Sequence, residues 1–160
     1  MPDLLRLVLD TNTLLSGMAN QHSASGQLLA LCENRRAVLL MSRPVQAEYR
    51  RVLGSTEMLR RNPQITQEAI ELVLRRFRFV GEYLGHIKAR FRFDRDPDDE
   101  PFIELAIDGS ASHLVTNDND LLSLVRGHDE AAKRFRQRLP ALRVLRAGEF
   151  IREFERSHRI

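Results

Sequence analysis

The stretch LLRLVLD at residues 4–10 decides the fold. Its first six residues form a short, mostly apolar run, which is typical of a strand buried in a parallel sheet. Three similar runs follow at residues 37–41 (AVLLM), 112–116 (SHLVT) and 142–145 (LRVL). Helical patterns lie between these runs. The alternation predicts an α/β fold, with a central parallel β-sheet covered by helices on both faces.

The first residues of several helices can be recognised. Ser23 or Ser25 can cap one helix, and Ser42 followed by Pro44 begins the next. Further along the chain, we predict two helices in residues 56–84, an extended or half-buried strand at 87–93 (IKARFRF), a helix at 102–107 and a closing helix at 149–155.

Length and composition restrict the class of protein. The chain has 160 residues and a mass of 18.5 kDa, with 42% hydrophobic and 29% charged residues, which predicts a single globular domain over residues 1–160. No apolar run approaches the length of a membrane span, and the N-terminus shows no secretion signal. The single Cys cannot form an internal disulfide. We therefore expect a cytoplasmic protein.

The charges are unevenly distributed along the chain. Residues 50–95 carry a net charge of +6 and residues 126–160 a net charge of +5, whereas residues 96–125 hold eight acidic residues and no Lys or Arg. Solvated helix faces that are rich in Arg would explain this distribution. A surface that binds a polyanion around a cation-binding pocket would explain it as well.

Carboxylates stand where the predicted strands and helices meet. In open α/β sheets, ligands bind beyond the carboxyl ends of the strands. Each carboxylate has an ordinary structural explanation, as a cap, a turn residue or part of a polar helix face. The residues concerned are Asp10 after the first strand, Asp118 and Asp120 after residues 112–116, residues 98–100 at a helix start, and Glu48 within VQAEYRRVL.

Together, these carboxylates indicate a metal site. Like charges a few ångströms apart repel by several kcal/mol at an effective dielectric of about 20, and a divalent cation offsets that repulsion. Oxygen ligands favour Mg²⁺ or Mn²⁺, and the five scattered His residues do not form a zinc motif. Such ions serve phosphoryl chemistry, and the Arg-rich segments would then contact a nucleic-acid backbone.

The run DPDDEP at residues 96–101 leaves open which acid faces the site. Helical periodicity places Asp98 and Asp99 about equally well. Pro101 lacks an N–H group and fits only in the first turn of a helix. We therefore predict that Asp98 is the N-cap and that Asp99 is the first helical residue, free to reach the strand ends.

Four motifs, in order, resemble those of PIN-domain proteins, and in particular the VapC-like toxins of toxin–antitoxin pairs. The motifs are LDTN (9–12), AEYRRVL (47–53), DPDDEPFIELA (96–106) and LVTNDNDLL (114–122). The ending LRVLRAGEF (142–150) resembles the last strand and helix of the family. The likeness covers essentially the whole chain, and the position of the acid relative to Ala106 selects Asp99 over Asp98.

The resemblance implies a three-layer α/β/α sandwich and an Mg²⁺- or Mn²⁺-dependent ribonuclease. The implied catalytic and metal-binding acids are Asp10, Glu48, Asp99 and Asp118, supported by Asn12 and Thr116. The implied partners are RNA, a small antitoxin and a second copy of the chain. From the charge pattern we predict that Arg90 and Arg92 bind RNA. Relatives often carry Gly and a basic residue around the fourth acid, whereas this chain has NDND at residues 117–120. Asp120 could therefore join the site, but we expect it to cap the next helix.

Two other functions are compatible with parts of the sequence. A haloacid-dehalogenase-like phosphotransferase also places Asp after its first strand, but it needs a second Asp where this chain has Asn12. A non-catalytic RNA-binding or adaptor module could share the fold. No carboxylate of the set is missing, so nothing in the sequence indicates lost activity.

Overall fold

A computed structural model describes residues 4–158, so residues 1–3 and 159–160 of the predicted domain lie outside the described part. Its centre is a five-stranded, all-parallel sheet in the order β3-β2-β1-β4-β5. The strands are β1 (Arg6–Leu9), β2 (Val38–Ser42), β3 (Glu82–Leu84), β4 (His113–Val115) and β5 (Arg143–Leu145). The predicted fold class is confirmed, and the four predicted apolar runs each supply a strand.

Nine helices occur among the described residues. They are α1 (Thr11–Ala19), α2 (Ala24–Glu33), α3 (Arg43–Leu53), α4 (Thr56–Arg61), α5 (Gln67–Val80), α6 (Glu100–Asp108), α7 (Asn119–Arg126), α8 (Glu130–Arg138) and α9 (Ala147–Ser157). Ser23 caps α2 and Ser42 caps α3, each accepting a backbone N–H three residues on. None of the helices in residues 4–158 is both long and apolar enough to cross a membrane.

The order of the strands explains the layers. The steps from β1 to β3 cross the sheet in one direction, and the steps from β3 to β5 cross it in the other. Because parallel crossovers are right-handed, the two sets of connecting helices cover opposite faces. Accordingly, α2 packs against α1, α5 and α9, whereas α6 packs against β1 and β2, and α7 pairs with α8.

Two elements differ from the sequence prediction. Residues 11–19 look like a polar stretch but form α1, because Asp10 accepts the Thr13 N–H at 2.9 Å and Thr13, Leu14 and Gly17 are buried. The predicted second helix in residues 56–84 ends at Val80, and residues 82–84 form β3 instead. Gly81 separates them where a Cβ would lie 2.2 Å from the Leu39 carbonyl oxygen, so the chain can pass β2 only without a side chain.

Residues 86–93 are extended but lie outside the sheet of the described chain. Three acids of α6, spaced four residues apart and therefore on one helix face, accept its backbone N–H groups. Glu100 accepts from Phe93 at 3.1 Å, Glu104 accepts from Phe91 at 3.0 Å, and Asp108 accepts from Lys88 and Ala89. Part of the acidic stretch therefore fixes this segment instead of facing a metal.

Candidate metal-binding active site

The predicted acids meet at the carboxyl edge of the sheet. Asp10 directly follows β1 and caps α1, and Asp118 follows β4 and caps α7. Glu48 comes from the middle of α3, whose Tyr49 hydroxyl donates to the Leu9 carbonyl at 2.6 Å and so ties that helix to the end of β1. All four predicted acids line one small cavity of about 170 Å³, together with Thr11, Asn12, Arg51, Val52, Asp96, Asp98 and Phe102.

The tightest cluster in the described residues consists of Asp96, Asp99 and Asp118. Each offers one carboxylate oxygen, and these three oxygens lie within 4.8 Å of one another. The other contacts of Asp96 and Asp118 orient them: one oxygen of Asp96 accepts the Asp98 N–H at 3.1 Å, and one oxygen of Asp118 accepts the Asp120 N–H at 2.7 Å. Asp10 and Glu48 lie beside this cluster rather than within it.

Asp98 does not cap α6, so that prediction is wrong. A single 3₁₀ turn, Pro97–Asp99, precedes the helix, and Asp96 caps this turn. Residues three apart eclipse each other in 3₁₀ geometry, so Asp96 and Asp99 lie on the same side. Asp99 itself is the residue before α6 and makes no capping hydrogen bond, which leaves it free to face the cavity as expected. Asp98 is exposed and pairs with Arg51 at 3.2 Å.

Asp120 does not cap α7 either, because Asp118 holds that position. Asp120 lies in the first turn of α7 and faces Arg95 at 3.8 Å. A contact between Asp120 and a metal has no support in this geometry, since the residue is absent from the lining of the cavity.

Asp10 is held rigidly at the base of the cavity. One of its oxygens accepts the Thr13 N–H, and the other accepts the Thr116 hydroxyl. The same Thr116 oxygen accepts the Asp118 N–H at 2.8 Å, so it links the ends of β1 and β4. Burial raises the pKa of Asp10, and the hydrogen bonds from Thr116 and Thr13 partly offset that rise.

Asp99 is the most perturbed acid of the cluster. It is 8% exposed, and burial, with the charges of Asp96, Asp118 and Asp10, raises its pKa from 3.8 to about 8. Burial and the neighbouring Asp118 and Asp98 charges also raise the pKa of Asp96. Without a cation, the protein therefore resists full ionisation of this cluster.

Two buried polar atoms in the described chain lack any hydrogen-bond partner, and both belong to this cavity. They are Asp99 Oδ2 and Thr11 Oγ1. Buried polar atoms are almost always satisfied, so two in the lining of one cavity indicate that a water or a ligand binds there. An all-oxygen donor set with excess negative charge fits a hard divalent cation. Asn12, predicted as a supporting residue, lines the cavity from an exposed position.

The Glu48 carboxylate forms an ion pair with Arg51. The Arg51 guanidinium donates to both Glu48 oxygens, at 2.5 and 3.2 Å, and also reaches Asp98. The Arg51 side chain is 60% exposed and that of Glu48 is 14% exposed, so the pair meets solvent on the arginine side. A cation that took Glu48 as a ligand would have to displace Arg51 from it.

Three polar residues of the cavity were not predicted from the sequence. Asp96 stands in the acidic run, and the signal for its role was its position before Pro97, which favours a capped turn. Thr11 belongs to the LDTN motif, in which its neighbour Asn12 was predicted as the supporting polar residue. Arg51 looked like a helix-surface residue. The predicted RNA-binding residues Arg90 and Arg92 lie on the exposed side of the extended segment and do not line this cavity.

The parallel sheet and the carboxylates at its carboxyl edge define an α/β protein with an acidic site whose oxygen ligands suit a divalent metal ion. Residues 6–120 match the PIN domain, so the chain belongs to the PIN-domain family. PIN domains are generally nucleases and bind divalent metals, and the acidic cluster is compatible with such an ion. The chain is also similar to the uncharacterized protein MJ1680 of Methanocaldococcus jannaschii, with 29% identity over 152 residues, which cover 95% of this chain and 93% of that protein.

Proposed function

We propose that the protein is an Mg²⁺- or Mn²⁺-dependent endoribonuclease. The observation that carries the proposal is the cluster of Asp96, Asp99 and Asp118, together with the unpartnered Asp99 Oδ2 and Thr11 Oγ1 of two residues that line the same cavity. Membership of a family of nucleases supports phosphodiester hydrolysis as the reaction. The Arg-rich segments on both sides of the acidic one in the sequence support a polyanionic substrate.

The residues take distinct roles in this proposal. Asp96, Asp99 and Asp118 hold the ion, and Thr116 keeps Asp10 and Asp118 in register from the ends of two neighbouring strands. A divalent ion bound there would polarise the phosphodiester and activate a water for in-line attack. Glu48 would complete the acidic wall once Arg51 has left it, and one of the carboxylates would accept the proton from the attacking water.

A cleavage assay separates this proposal from its two alternatives. The enzyme should cut single-stranded RNA with Mg²⁺ or Mn²⁺ and should not cut it with EDTA. An adaptor module would bind RNA and never cut it. A phosphotransferase would act on small phosphomonoesters and would carry phosphate on Asp10. Asn12 stands where that class needs a second Asp, and no Lys lines the cavity among the described residues.

We further propose that this ribonuclease is the toxin of a toxin–antitoxin pair in the cytoplasm, with a small antitoxin and a second copy of the chain as partners. The resemblance of its four motifs to VapC-like proteins supports this role. Expression of the chain alone should arrest growth, and the Asp99→Asn variant should not. Rescue by a protein from a small neighbouring reading frame would identify the antitoxin. Harmless expression of an enzyme that cuts RNA in vitro would refute the toxin role alone.

A further inference from the structure

The extended segment 86–93 is held from both sides by side chains. On the side opposite the α6 acids, two arginines of α8 donate to its carbonyl groups: Arg134 to that of Arg92 at 3.2 Å, and Arg138 to that of Arg90 at 2.6 Å. The Arg134 guanidinium also lies 5.4 Å from the centre of the Phe91 ring. Each of these contacts uses only part of a guanidinium group. The remaining N–H groups are therefore oriented but still available.

These arginines surround a cavity of about 220 Å³ that is strongly basic. Its lining consists of Arg90, Phe91, Arg92, Arg134, Gln137 and Arg138, and it includes no carboxylate. Of the four arginines, Arg92 has an acidic partner, Asp94, at 2.6 Å, and both residues of that pair are largely exposed. Four guanidinium groups around one cavity repel each other, and a bound anion would relieve that repulsion.

Arg90 belongs to a second cavity as well as to the basic one. This second cavity, of about 340 Å³, is also lined by Arg43, His86, Pro101 and Glu104, whose carboxylate accepts the Phe91 N–H. That cavity shares α3 and the start of α6 with the acidic site, because Arg43 lies five residues before Glu48, about 7.5 Å along the helix, and Pro101 precedes Phe102. Arg138, Arg90 and Arg43 therefore line two neighbouring cavities, and the second of these borders two elements of the acidic site.

We infer that Arg90, Arg92, Arg134 and Arg138 form a phosphate-binding site that holds the RNA backbone away from the cleaved bond. The inference rests on the proposed ribonuclease function, since it assigns this site to the same substrate. Planar guanidinium groups match phosphate oxygens in paired hydrogen bonds. The proposed cleavage of RNA by the same chain, together with the positive charge of the cavity, favours RNA over an acidic protein as the occupant. The α8 residues extend the contact surface beyond Arg90 and Arg92.

The test is the salt dependence of RNA binding by the full chain in EDTA, measured by fluorescence anisotropy with a labelled single-stranded RNA. For single strands, the slope of log affinity against log salt is about −0.7 for each phosphate contacted. The double variant Arg134→Gln/Arg138→Gln should therefore flatten the slope by about 1.4 and weaken binding at low salt. The matched control is Arg152→Gln/Arg156→Gln on α9, with the same spacing and charge change, and it should keep the wild-type slope.

Two further measurements keep the test decisive. Arg134→Lys/Arg138→Lys retains the charge but not the paired guanidinium hydrogen bonds, so it should keep the slope and lose affinity. The melting temperature of both α8 variants is measured as well, because unfolding of the extended segment would lower it. A polyglutamate peptide in place of RNA distinguishes an acidic protein as the occupant. Equal slopes for the α8 and α9 variants would overturn the inference, as would a loss confined to polyglutamate. If the α8 variant flattens the salt dependence of RNA binding but the wild-type protein shows no metal-dependent cleavage, the ribonuclease proposal is refuted and the phosphate-binding site is retained.

Discussion

Replacing Asp99 by Asn should stabilise the metal-free protein at alkaline pH. The folded-state pKa of Asp99 is raised from 3.8 to about 8. The stability associated with its protonated form is therefore fully present below about pH 4 and is lost as the pH rises through about 8. Asn has the same shape and no charge. The variant should thus escape a penalty that the wild-type protein incurs between these two pH values.

The size of the effect follows from the pKa shift. At about 1.4 kcal/mol per pKa unit, a rise of about four units sets an upper bound of about 6 kcal/mol. The cavity opens to solvent and the neighbouring acids share the repulsion, so screening reduces the expected gain to about 1–3 kcal/mol at pH 9. The gain should shrink as the pH falls towards 4 and disappear below it, because Asp99 is then protonated in both the folded and the unfolded chain.

Urea unfolding in EDTA, followed by circular dichroism at pH 4.5, 7 and 9, measures this difference directly. Asp98→Asn is the matched control, since Asp98 is exposed and pairs with Arg51 outside the cluster. We expect the free energy of unfolding of the Asp99→Asn variant, relative to wild type, to increase with pH, and that of the control to stay nearly constant. A variant that is equally or less stable than wild type at pH 9 would show that neither burial nor the neighbouring acids disfavour the ionised form of Asp99 in the folded protein.

Two further predictions concern the binding of metal. Mn²⁺ at 100 times its Kd should stabilise the wild-type protein by about 2.7 kcal/mol, which raises the melting temperature by about 5–10 °C. The Asp99→Asn variant should lose most of that rise. An unchanged melting temperature of the wild type at millimolar Mn²⁺ would count against a shared site. Arg51→Gln should bind Mn²⁺ a few-fold more tightly in calorimetry, because it frees Glu48. Arg50→Gln, which breaks the more exposed ion pair with Glu71 outside the cavity, should not change the affinity. Weaker binding by Arg51→Gln would mean that Arg51 supports the site instead of competing for it.

Much of the fold could be predicted because its strands are short apolar runs with an unambiguous pattern. The elements that were missed have weak local signals. β3 has the sequence Glu-Tyr-Leu and continues an apparently helical stretch, and only the close passage of Gly81 past β2 separates the two. α1 is rich in Thr, Asn, Ser and Gly, which have low helix propensity, so its stability comes from the Asp10 cap and from packing.

The acids of the site could be predicted as a group more readily than one by one. Asp10 and Asp118 are fixed by strand ends, and sequence position alone brings them to one edge of the sheet. In the run 96–100, the outcome depends on a single 3₁₀ turn, which brings Asp96 and Asp99 into the cluster and leaves Asp98 at the exposed rim of the cavity. Helical periodicity could not distinguish these orientations, because the residues precede the helix. The pairing of Arg51 with Glu48 depends on side-chain geometry that no spacing rule specifies.

The most direct test of the acidic cavity as a ribonuclease site compares the cleavage of one single-stranded RNA by two neighbouring variants at saturating Mg²⁺. Asp99→Asn should reduce the cleavage rate to the level that wild type shows in EDTA while its fold is retained. Asp98→Asn should keep most of the wild-type rate, because that carboxylate lies at the exposed rim and belongs neither to the metal cluster nor to a cap of α6. Normal cleavage by the Asp99→Asn variant, or equal loss in both variants, would contradict the assignment of the cluster as the catalytic site.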